Sequence, residues 1–375
     1  MSISRKNPVQ QILESADIKI DNGRAGDIVV NDPVFFQRVL TGGSLALGES
    51  YMDGDWDCNN LDEFFYKVTR AGLQKRKVTG KLFWEIAKTA LVNPQSVARS
   101  RKVAELHYNL GNDLYSSMLG RTMQYTCAYW TLGNTLDDAQ TAKMDLVARK
   151  LHLSPGMKVL ELGSGFGTLA KHLAEKYNVE VNAFNISHEQ VKFARENTNG
   201  LPVHFHEEDY RNASGKFDRV ISVGLMEHIG PKNYRDFMKV IDRNLIDGGL
   251  ALVHTIGRST SSTIPVDPWI RKYIFPGGHL PSLTRIAEST EGLFDVEDVH
   301  NLGINYDRTL MAWHNNFNNH WSKLKPKYGK MQDEKFKRMQ DYYLLSCAGA
   351  FRSRSIQLWQ TVLSKGREEV YQSQR

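Results

Sequence analysis

Residues 158–167 read KVLELGSGFG, and this stretch decides the fold. An apolar run leads into the acidic Glu161, and an amphipathic stretch begins at Thr168. Between them stand three glycines: Gly163, Gly165 and Gly167. The order predicts a strand, a tight turn that lets main chain approach a ligand, and a helix. A carboxylate at the strand end accepts hydrogen bonds from a ribose diol but repels pyrophosphate, so the loop favours a nucleoside, S-adenosylmethionine (SAM), over a dinucleotide.

Composition limits the remaining possibilities. The chain has 375 residues, of which 41% are apolar and 24% charged, which is enough for one large or two moderate domains. It contains no run of eighteen apolar residues, and its first residues, MSISRKNPVQ, lack an apolar core. We therefore expect neither a spanning helix nor a signal peptide, and a cytoplasmic protein.

Cysteines and charge point to the environment of the protein. Cys58, Cys127 and Cys347 are far apart and form no C-x-x-C pair, so we expect reduced thiols, no disulfide framework and no metal site. A net charge of +6 and a pI near 9 favour a polyanionic partner, either nucleic acid or an anionic membrane surface.

The first part of the chain reads as a small, mainly helical domain over 1–92. Residues 32–40 and 61–68 have apolar side chains at helical spacing, and the glycines and acids of 42–58 indicate turns. The simplest function of such a module is packing, without chemistry of its own. A linker is predicted over 93–104, before a catalytic domain at 105–375.

A strongly basic stretch lies at the end of this first domain. Residues 67–102 contain ten Lys or Arg and one acid, Glu85. Within it, KLFWEIAKTALV (81–92) places apolar residues on one helical stripe between flanking lysines. This pattern is typical of a helix in a membrane interface. A helix packed on its own domain or on a dimer partner fits equally well.

Strands and helices alternate after residue 155. Helices are predicted over 135–152, 169–177, from Ser187 (with a capping box to Gln190), over 232–245, and from Arg308 and Phe336. Strands are predicted around 159–160 and over 179–185, 203–207, 217–223, 249–256, 294–300 and 355–364. The pattern predicts an α/β fold, a doubly wound, seven-stranded, Rossmann-like methyltransferase sheet with ligands at the carboxyl ends of its strands.

Polar residues follow several of these strands. Asp209 stands where a nucleoside site would find a partner for the adenine amine, although a turn aspartate is an equal alternative. Glu227 follows the fourth strand, and His254 ends the fifth. Because the ends of strands one, four and five meet beside the donor pocket in this architecture, Glu161, Glu227 and His254 are expected to face one cavity.

Several long motifs carry a resemblance to a known family. They are YTCAYW (125–130), ELGSGFG (161–167), SVGLMEHIGPKNY (222–234), LVHTIG (252–257), DPWIRKYIFPGGHLPS (267–282), NYDRTLMAWH (305–314) and CAGAFRSRSIQLWQ (347–360), with GESYMDGDWDC (48–58) in the N-terminal part. Together they resemble the family of cyclopropane-fatty-acyl-phospholipid synthases and mycolic acid cyclopropane synthases over essentially the whole chain. The chain departs from the usual family pattern at Asn109 and Asn185.

The resemblance implies an activity and two small ligands. It implies transfer of a methylene group from SAM to a cis double bond of an acyl chain in a membrane phospholipid. It also implies a bicarbonate ion as general base, held by Cys127, Glu227, His254, Ile256 and Tyr306. The predicted SAM site consists of Tyr125, Glu161, Gly163, Ser164, Gly165, Gly167, Asn185, Gln190, Asp209 and Tyr210.

The resemblance and the charge pattern together predict where the protein works. We expect a homodimer that associates peripherally with the inner face of the membrane, touches anionic headgroups and binds no nucleic acid. The aromatic segment 264–281 reads as a lid or acyl-channel wall, with an ordinary surface excursion as the alternative. A second basic stretch, 323–338, could add headgroup attraction.

Three other functions compete with this interpretation. A nucleic-acid methyltransferase would also be basic, but it needs polar groups that read a flipped base, and the apolar segment argues against it. An amine N-methyltransferase shares the fold, yet would leave an interfacial helix without purpose. A catalytically silent lipid-binding protein is disfavoured because the donor loop and the ion site are both complete in the sequence.

Overall fold

The computed structural model describes residues 7–73, 112–261, 266–325 and 334–375. Contacts divide the chain into two compact units. The first is built from residues within Met1–Lys88, Ile264–Pro276 and Tyr306–Ile356, and the second from residues within Thr89–Thr263, Gly277–Asn305 and Gln357–Arg375. The interfacial helix predicted at 81–92, the linker at 93–104 and the departure at Asn109 lie outside the described residues. The domain assignment stays a prediction.

A seven-stranded sheet forms the centre of the second unit. Its strands are β3 (Lys158–Leu162), β4 (Glu180–Phe184), β5 (Val203–His206), β6 (Phe217–Val223), β7 (Leu245–Gly257), β8 (Asp295–Asn301) and β9 (Gln357–Ser364). They lie in the order β5-β4-β3-β6-β7-β9-β8. The first five are parallel, and β9 pairs antiparallel with both β7 and β8. The predicted fold class is confirmed.

Helices cover both faces of this sheet. They are α4 (Asn112–Leu119), α5 (Leu136–Lys150), α6 (Thr168–Tyr177), α7 (His188–Asn197), α8 (Met226–Ile229), α9 (Tyr234–Asn244) and α11 (Leu283–Thr290). One apolar cluster contains buried residues of α5, α6 and α7, and the other contains residues of α9 and α11. Because both faces are covered, the central strands β3, β6 and β7 are buried along most of their length.

Two predicted elements of this unit differ in detail. Strand β7 begins at Leu245 rather than at Gly249. The helix predicted over 232–245 is a short 3-10 turn, Pro231–Asn233, followed by α9. Proline has no N–H for a regular helix interior and therefore stands at the beginning of the turn.

The first unit is mainly helical, as predicted. Its elements are α1 (Pro8–Glu14), β1 (Val29–Val30), α2 (Val34–Asp53), β2 (Trp56–Asp57), α3 (Leu61–Arg70), α10 (Pro268–Tyr273), most of α12 (Gly303–Leu324) and α13 (Glu334–Arg352). Among the described residues, no helix is both long enough and apolar enough to cross a membrane.

The turns predicted over 42–58 are wrong for most of that stretch. Helix α2 continues to Asp53, with non-helical backbone at Gly43 (φ 59°, ψ −140°). Gly48 lies inside this helix and packs against Trp269. The residue is glycine because a Cβ at this position would stand 2.3 Å from Cδ1 of Trp269. The glycine therefore permits close packing instead of making a turn.

The segment predicted as a lid contributes to the core of this unit. Trp269 is fully buried, and its indole N–H donates to the sulfur of Met52 at 3.3 Å. Tyr273 donates its hydroxyl to Glu49 at 2.9 Å, and Lys272 pairs with the same carboxylate. An ordinary surface excursion is therefore wrong for this segment, and the acyl-channel role stays a prediction.

Candidate active site

The glycine loop after β3 is shaped by positive backbone angles. Gly163 has φ 84° and Gly167 has φ 76°. The N–H groups of Gly163 and Ser164 both donate to the carbonyl of Phe184 at the end of β4, at 2.9 and 3.1 Å. A Cβ on Gly167 would stand 2.6 Å from that of Ala194, so this glycine lets the loop and α7 approach each other.

Gly165 has a different reason to be glycine. Its φ is 54°, yet a Cβ there would meet no protein atom within 4 Å. The side of the loop that this Cβ would face is therefore open. That is the local geometry that a bound nucleoside requires, so the loop fits SAM.

Glu161 lies next to this loop in a buried position. The residue is 2% exposed, and its Oε2 makes no hydrogen bond within the described structure. Burial raises the pKa of Glu161 to about 7, and the positive charge of Lys143 acts in the opposite direction. A buried acceptor of this kind calls for a donor, and a ribose diol supplies two.

Asn185 and Gln190 bond to the loop and to each other. The Asn185 amide donates to the Gly165 carbonyl and to Gln190 Oε1, both at 2.9 Å, and its oxygen accepts from Ser187 N–H. The predicted capping box is wrong, because Ser187 makes no side-chain cap bond and Gln190 is engaged by Asn185. Asn185 thus holds the loop in shape, and direct SAM contacts of the two residues stay predictions.

The predicted adenine side is already hydrogen-bonded. Asp209 Oδ1 caps a short 3-10 helix by accepting from Arg211 N–H at 3.0 Å. Tyr210 is buried against Phe237, with ring centroids 5.7 Å apart. The SAM contacts of Asp209 and Tyr210 stay predictions.

Tyr125 belongs to an aromatic row that reaches the glycine loop. Its ring meets Tyr115 edge-on at 5.5 Å between centroids, and Tyr115 in turn meets Phe166 of the loop at 5.6 Å. The row connects the aromatic segment 125–130 to the donor loop, and direct contact of Tyr125 with SAM stays a prediction.

Glu227 and Ile256 are brought into direct contact. Glu227 is in α8, after β6, and its Oε1 accepts from Ile256 N–H at 2.7 Å. Its Oε2 is buried and makes no hydrogen bond within the described structure. Burial raises the pKa of Glu227 to about 7, against the hydrogen bond from Ile256.

His254 is almost fully buried in β7. Its Nδ1 lies 3.3 Å from Gln360 Nε2 on β9, and its Nε2 makes no hydrogen bond within the described structure. Burial lowers the pKa of His254 well below its ordinary value, so the ring is neutral. Since the Gln360 amide donates to Nδ1, the ring proton is on Nε2, which can donate to an anion.

Thr126, the residue before Cys127, lies close to Gly224 at the end of β6. A Cβ on Gly224 would lie 3.1 Å from Thr126 Cγ2, and Gly224 N–H donates to the carbonyl of His254. Cys127 itself is fully buried, with its thiol 3.3 Å from the Ala128 carbonyl. All three cysteines are free thiols.

Tyr306 belongs to the first unit. There its ring stacks on Phe351 at 4.4 Å and meets Trp313 edge-on. Its role beside an ion stays a prediction, as do the ion-holding roles of the other four residues. Among the described residues, no group of three or more His, Cys, Asp or Glu side chains is arranged to hold a metal.

The sequence reasoning missed two buried polar residues of α5. Lys143 is fully buried, with its ammonium bonded to Gln124 Oε1 and, at 2.9 Å, to Thr126 Oγ1. Gln140 is also fully buried and donates to the Thr126 carbonyl at 2.8 Å. Both stand on the helical stripe that carries Leu136 and Val147, so polar residues on an apolar stripe were the available signal.

The fold and the site define a class of protein. A sheet of this strand order, a glycine loop after β3 and a buried carboxylate at the end of that strand define the SAM-dependent methyltransferases. The fold matches the cyclopropane synthase MmaA2 from Mycobacterium tuberculosis, with a TM-score of 0.65 and 28% identity over 71% of this chain and 98% of that one. It also matches mycolic acid cyclopropane synthase CmaA1 in complex with SAH and CTAB, at 0.65 and 29%, over 71% and 98%.

Sequence comparison defines the family. Residues 95–361 match the profile of mycolic acid cyclopropane synthetase. The chain is 50% identical to the cyclopropane-fatty-acyl-phospholipid synthase of Escherichia coli K12 over 359 residues, which are 96% of this chain and 93% of the relative. The chain belongs to this family of SAM-dependent cyclopropane synthases.

Proposed function

We propose that this protein transfers a methylene group from SAM to the cis double bond of unsaturated acyl chains in membrane phospholipids, forming cyclopropane fatty acids. The observation that carries the proposal is a pair of buried, unsatisfied polar atoms: Glu227 Oε2, just after β6, and His254 Nε2, within β7. Strand β6 lies next to β3, which leads into the glycine loop, and β7 lies one strand beyond. The 50% identity to a cyclopropane-fatty-acyl-phospholipid synthase supports the choice of substrate.

The residues of the loop hold the donor. When bound, SAM supplies an electrophilic methyl group and bicarbonate supplies an oxygen base. Glu161 accepts from the ribose diol, and Gly165 leaves room for the nucleoside beside the main chain. An isolated alkene is a weak nucleophile, so the protein accelerates the reaction mainly by holding it in line with the methyl group in a dry slot.

The strand-end residues handle the proton that must leave before the ring closes. His254 donates from Nε2 toward an oxyanion, and Glu227 has a free oxygen that can accept or share a proton. The Ile256 main chain fixes the other Glu227 oxygen. In this scheme Cys127 also contributes to the ion site, and an aromatic face such as that of Trp130 stabilises positive charge that develops on the acyl chain.

Membrane contact is the third part of the proposal. We propose a homodimer that works in the cytoplasm, on the inner face of the membrane, with the basic stretch 67–102 on anionic headgroups. Three cations of the alternative stretch, 323–338, are engaged within the first unit and are therefore less available to headgroups. Lys335 pairs with Asp53, Lys337 with Asp341 and Arg338 with Asp57.

Lipid analysis tests the reaction directly. Phospholipids from cells that express the protein should gain the mass of one CH₂ group on unsaturated chains and on no others, and a Gly165→Val variant should abolish that gain. Methylated amines with unchanged lipids would instead support an N-methyltransferase. Coclaurine N-methyltransferase shares the fold, with a TM-score of 0.72, but at 22% identity that likeness shows the fold alone.

A further inference from the structure

A buried lysine of α5 interacts electrostatically with residues of both the predicted donor site and the predicted ion site. Lys143 has no exposed surface, and the two acceptors of its ammonium group, Gln124 Oε1 and Thr126 Oγ1, are both uncharged. Burying an ammonium group without a counter-ion is costly. A buried cation whose direct acceptors are neutral therefore indicates that negative charge nearby offsets the cost.

Two groups that can carry negative charge, Cys127 and Glu161, interact electrostatically with Lys143. Burial lowers the pKa of Lys143 to about 7, while Cys127 and Glu161 act in the opposite direction. The Lys143 charge also acts on His254, whose pKa burial lowers. Lys143 is thus bonded to Thr126, the residue before Cys127, and its charge interacts with the carboxylate of the donor site and with two predicted holders of the ion.

A second buried lysine shows what a structural role looks like. Lys150 stands two helical turns further along α5 and is also fully buried, but its ammonium is 3.1 Å from the Asp298 carboxylate, which also binds Arg375. Its ammonium therefore has a carboxylate in direct contact. Lys143 has no such direct carboxylate among its hydrogen-bond acceptors.

We propose that Lys143 is a positioning residue that supplies the positive charge shared by Glu161 in the donor site and by an anion held near Cys127 and His254. The ammonium favours the charged form of Glu161, which accepts from the ribose. It also offsets the charge of an anion in the predicted ion site. Positive charge is needed there because His254 is neutral and Glu227 carries none. The second half of this statement rests on the proposed function, and the first half does not.

The test compares Lys143→Met with Lys150→Met in the full-length protein, using two measurements. Calorimetry should show that Lys143→Met weakens binding of S-adenosylhomocysteine by about tenfold, the effect of one charge-assisted interaction. Titration of bicarbonate into carbonate-depleted assays should show that the variant needs about tenfold more ion for half-maximal turnover. Lys150→Met should change neither quantity beyond about twofold, although its melting temperature should fall.

Two further variants keep the test decisive. Thr126→Val removes one hydrogen bond of Lys143 but retains its charge, so its nucleoside affinity should stay within about threefold of wild type. Equal losses in Thr126→Val and Lys143→Met would overturn the charge role. If Lys143→Met does not fold, Lys143→Gln, which can still bond Gln124 and Thr126, should show the same two losses.

The outcomes also separate this proposal from the proposed function. If wild-type turnover does not depend on bicarbonate, the ion has no part in the mechanism. Calorimetry would still decide the role of Lys143 at Glu161. A different result is that the wild type needs bicarbonate while the Lys143 variants match it in nucleoside affinity and ion requirement. That result would overturn the proposal for Lys143 alone.

Discussion

The side-chain amide of Gln360 donates to Nδ1 of His254 at 3.3 Å, across the antiparallel pair β7 and β9, in which the two residues are register partners. This bond fixes the tautomer of a neutral imidazole, with its proton on Nε2. A residue at the centre of a C-terminal strand therefore decides whether His254 can donate to an anion.

Replacing Gln360 by Leu should lower turnover by about tenfold or more, because the ring can then adopt the tautomer that cannot donate from Nε2. The affinity for S-adenosylhomocysteine should not change. Thr361→Val is the matched control, since the neighbouring Thr361 hydroxyl is buried and makes no hydrogen bond within the described structure. Equal turnover in the two variants would show that the tautomer is irrelevant.

Gly165→Val should abolish SAM binding, because the new side chain would occupy the open side of the loop and β-branched residues resist a positive φ. Gly156→Val provides the control: its φ is 83° and its Cβ would also meet no atom within 4 Å, but it lies in the turn before β3. Both variants should lose stability in thermal melts, whereas calorimetry should show lost SAM affinity only for Gly165→Val. Retained affinity in Gly165→Val would contradict the assignment of the loop.

The sequence predicted the sheet well because its signals are local. A short apolar run, a glycine loop and an amphipathic helix mark β3 and α6, and the predicted bounds of β6 match the observed ones. The stretch 42–53 was misread because glycine marks either a turn or a close contact, and only the fold places Trp269 against Gly48. Lys143 and Gln360 were missed for a related reason: their roles depend on partners 17 and 106 residues away.

Glu227 should make stability depend on pH. Its pKa in the folded protein is about 7, above the ordinary value of 4.5. The stability linked to this group is fully present below the ordinary pKa and is lost as the pH rises through the folded pKa, because only the unfolded chain ionises freely. Between about pH 5 and pH 8, wild type should therefore lose up to about 3 kcal/mol more than Glu227→Gln.

Denaturant unfolding of the ligand-free protein at several pH values measures this difference. Glutamine keeps the acceptor for Ile256 N–H, so the bond that fixes Oε1 is retained. Glu368→Gln, at an exposed position, is the control and should follow wild type. Parallel curves for wild type and Glu227→Gln would show that Glu227 ionises normally in the folded protein.

The membrane proposal depends on charges outside the described residues. Changing Lys75, Arg76, Lys77 and Lys81 to Gln should weaken co-sedimentation with anionic vesicles and make the remaining binding less sensitive to salt, since each cation near the surface contributes about 1 kcal/mol. The control changes the same number of exposed lysines in the second unit: Lys158, Lys192, Lys216 and Lys239. Equal vesicle binding by the two variants would place the membrane contact elsewhere.

The last prediction separates the ion holders from one another. Glu227→Ala and His254→Ala should each lower turnover by one to several orders of magnitude, because each removes a charge-assisted hydrogen bond of about 1.5 to 3 kcal/mol and leaves the remaining groups of a dry site unpaired. Calorimetric affinity for SAM should change little, since neither residue belongs to the donor loop. Added bicarbonate should restore turnover of carbonate-depleted wild type, but not of these two variants.

Cys127 should behave differently from both. An alkene offers no electrophilic carbon to a thiolate, so the thiol has no nucleophilic task. The Cys127 thiol donates a hydrogen bond to the Ala128 carbonyl at 3.3 Å, which a serine hydroxyl can also make. Cys127→Ser should therefore keep much of its activity, and alkylation of the thiol should inhibit through bulk. An inactive Cys127→Ser, together with an active Glu227→Ala and no response to bicarbonate, would mean that the base in this protein is not a bound ion.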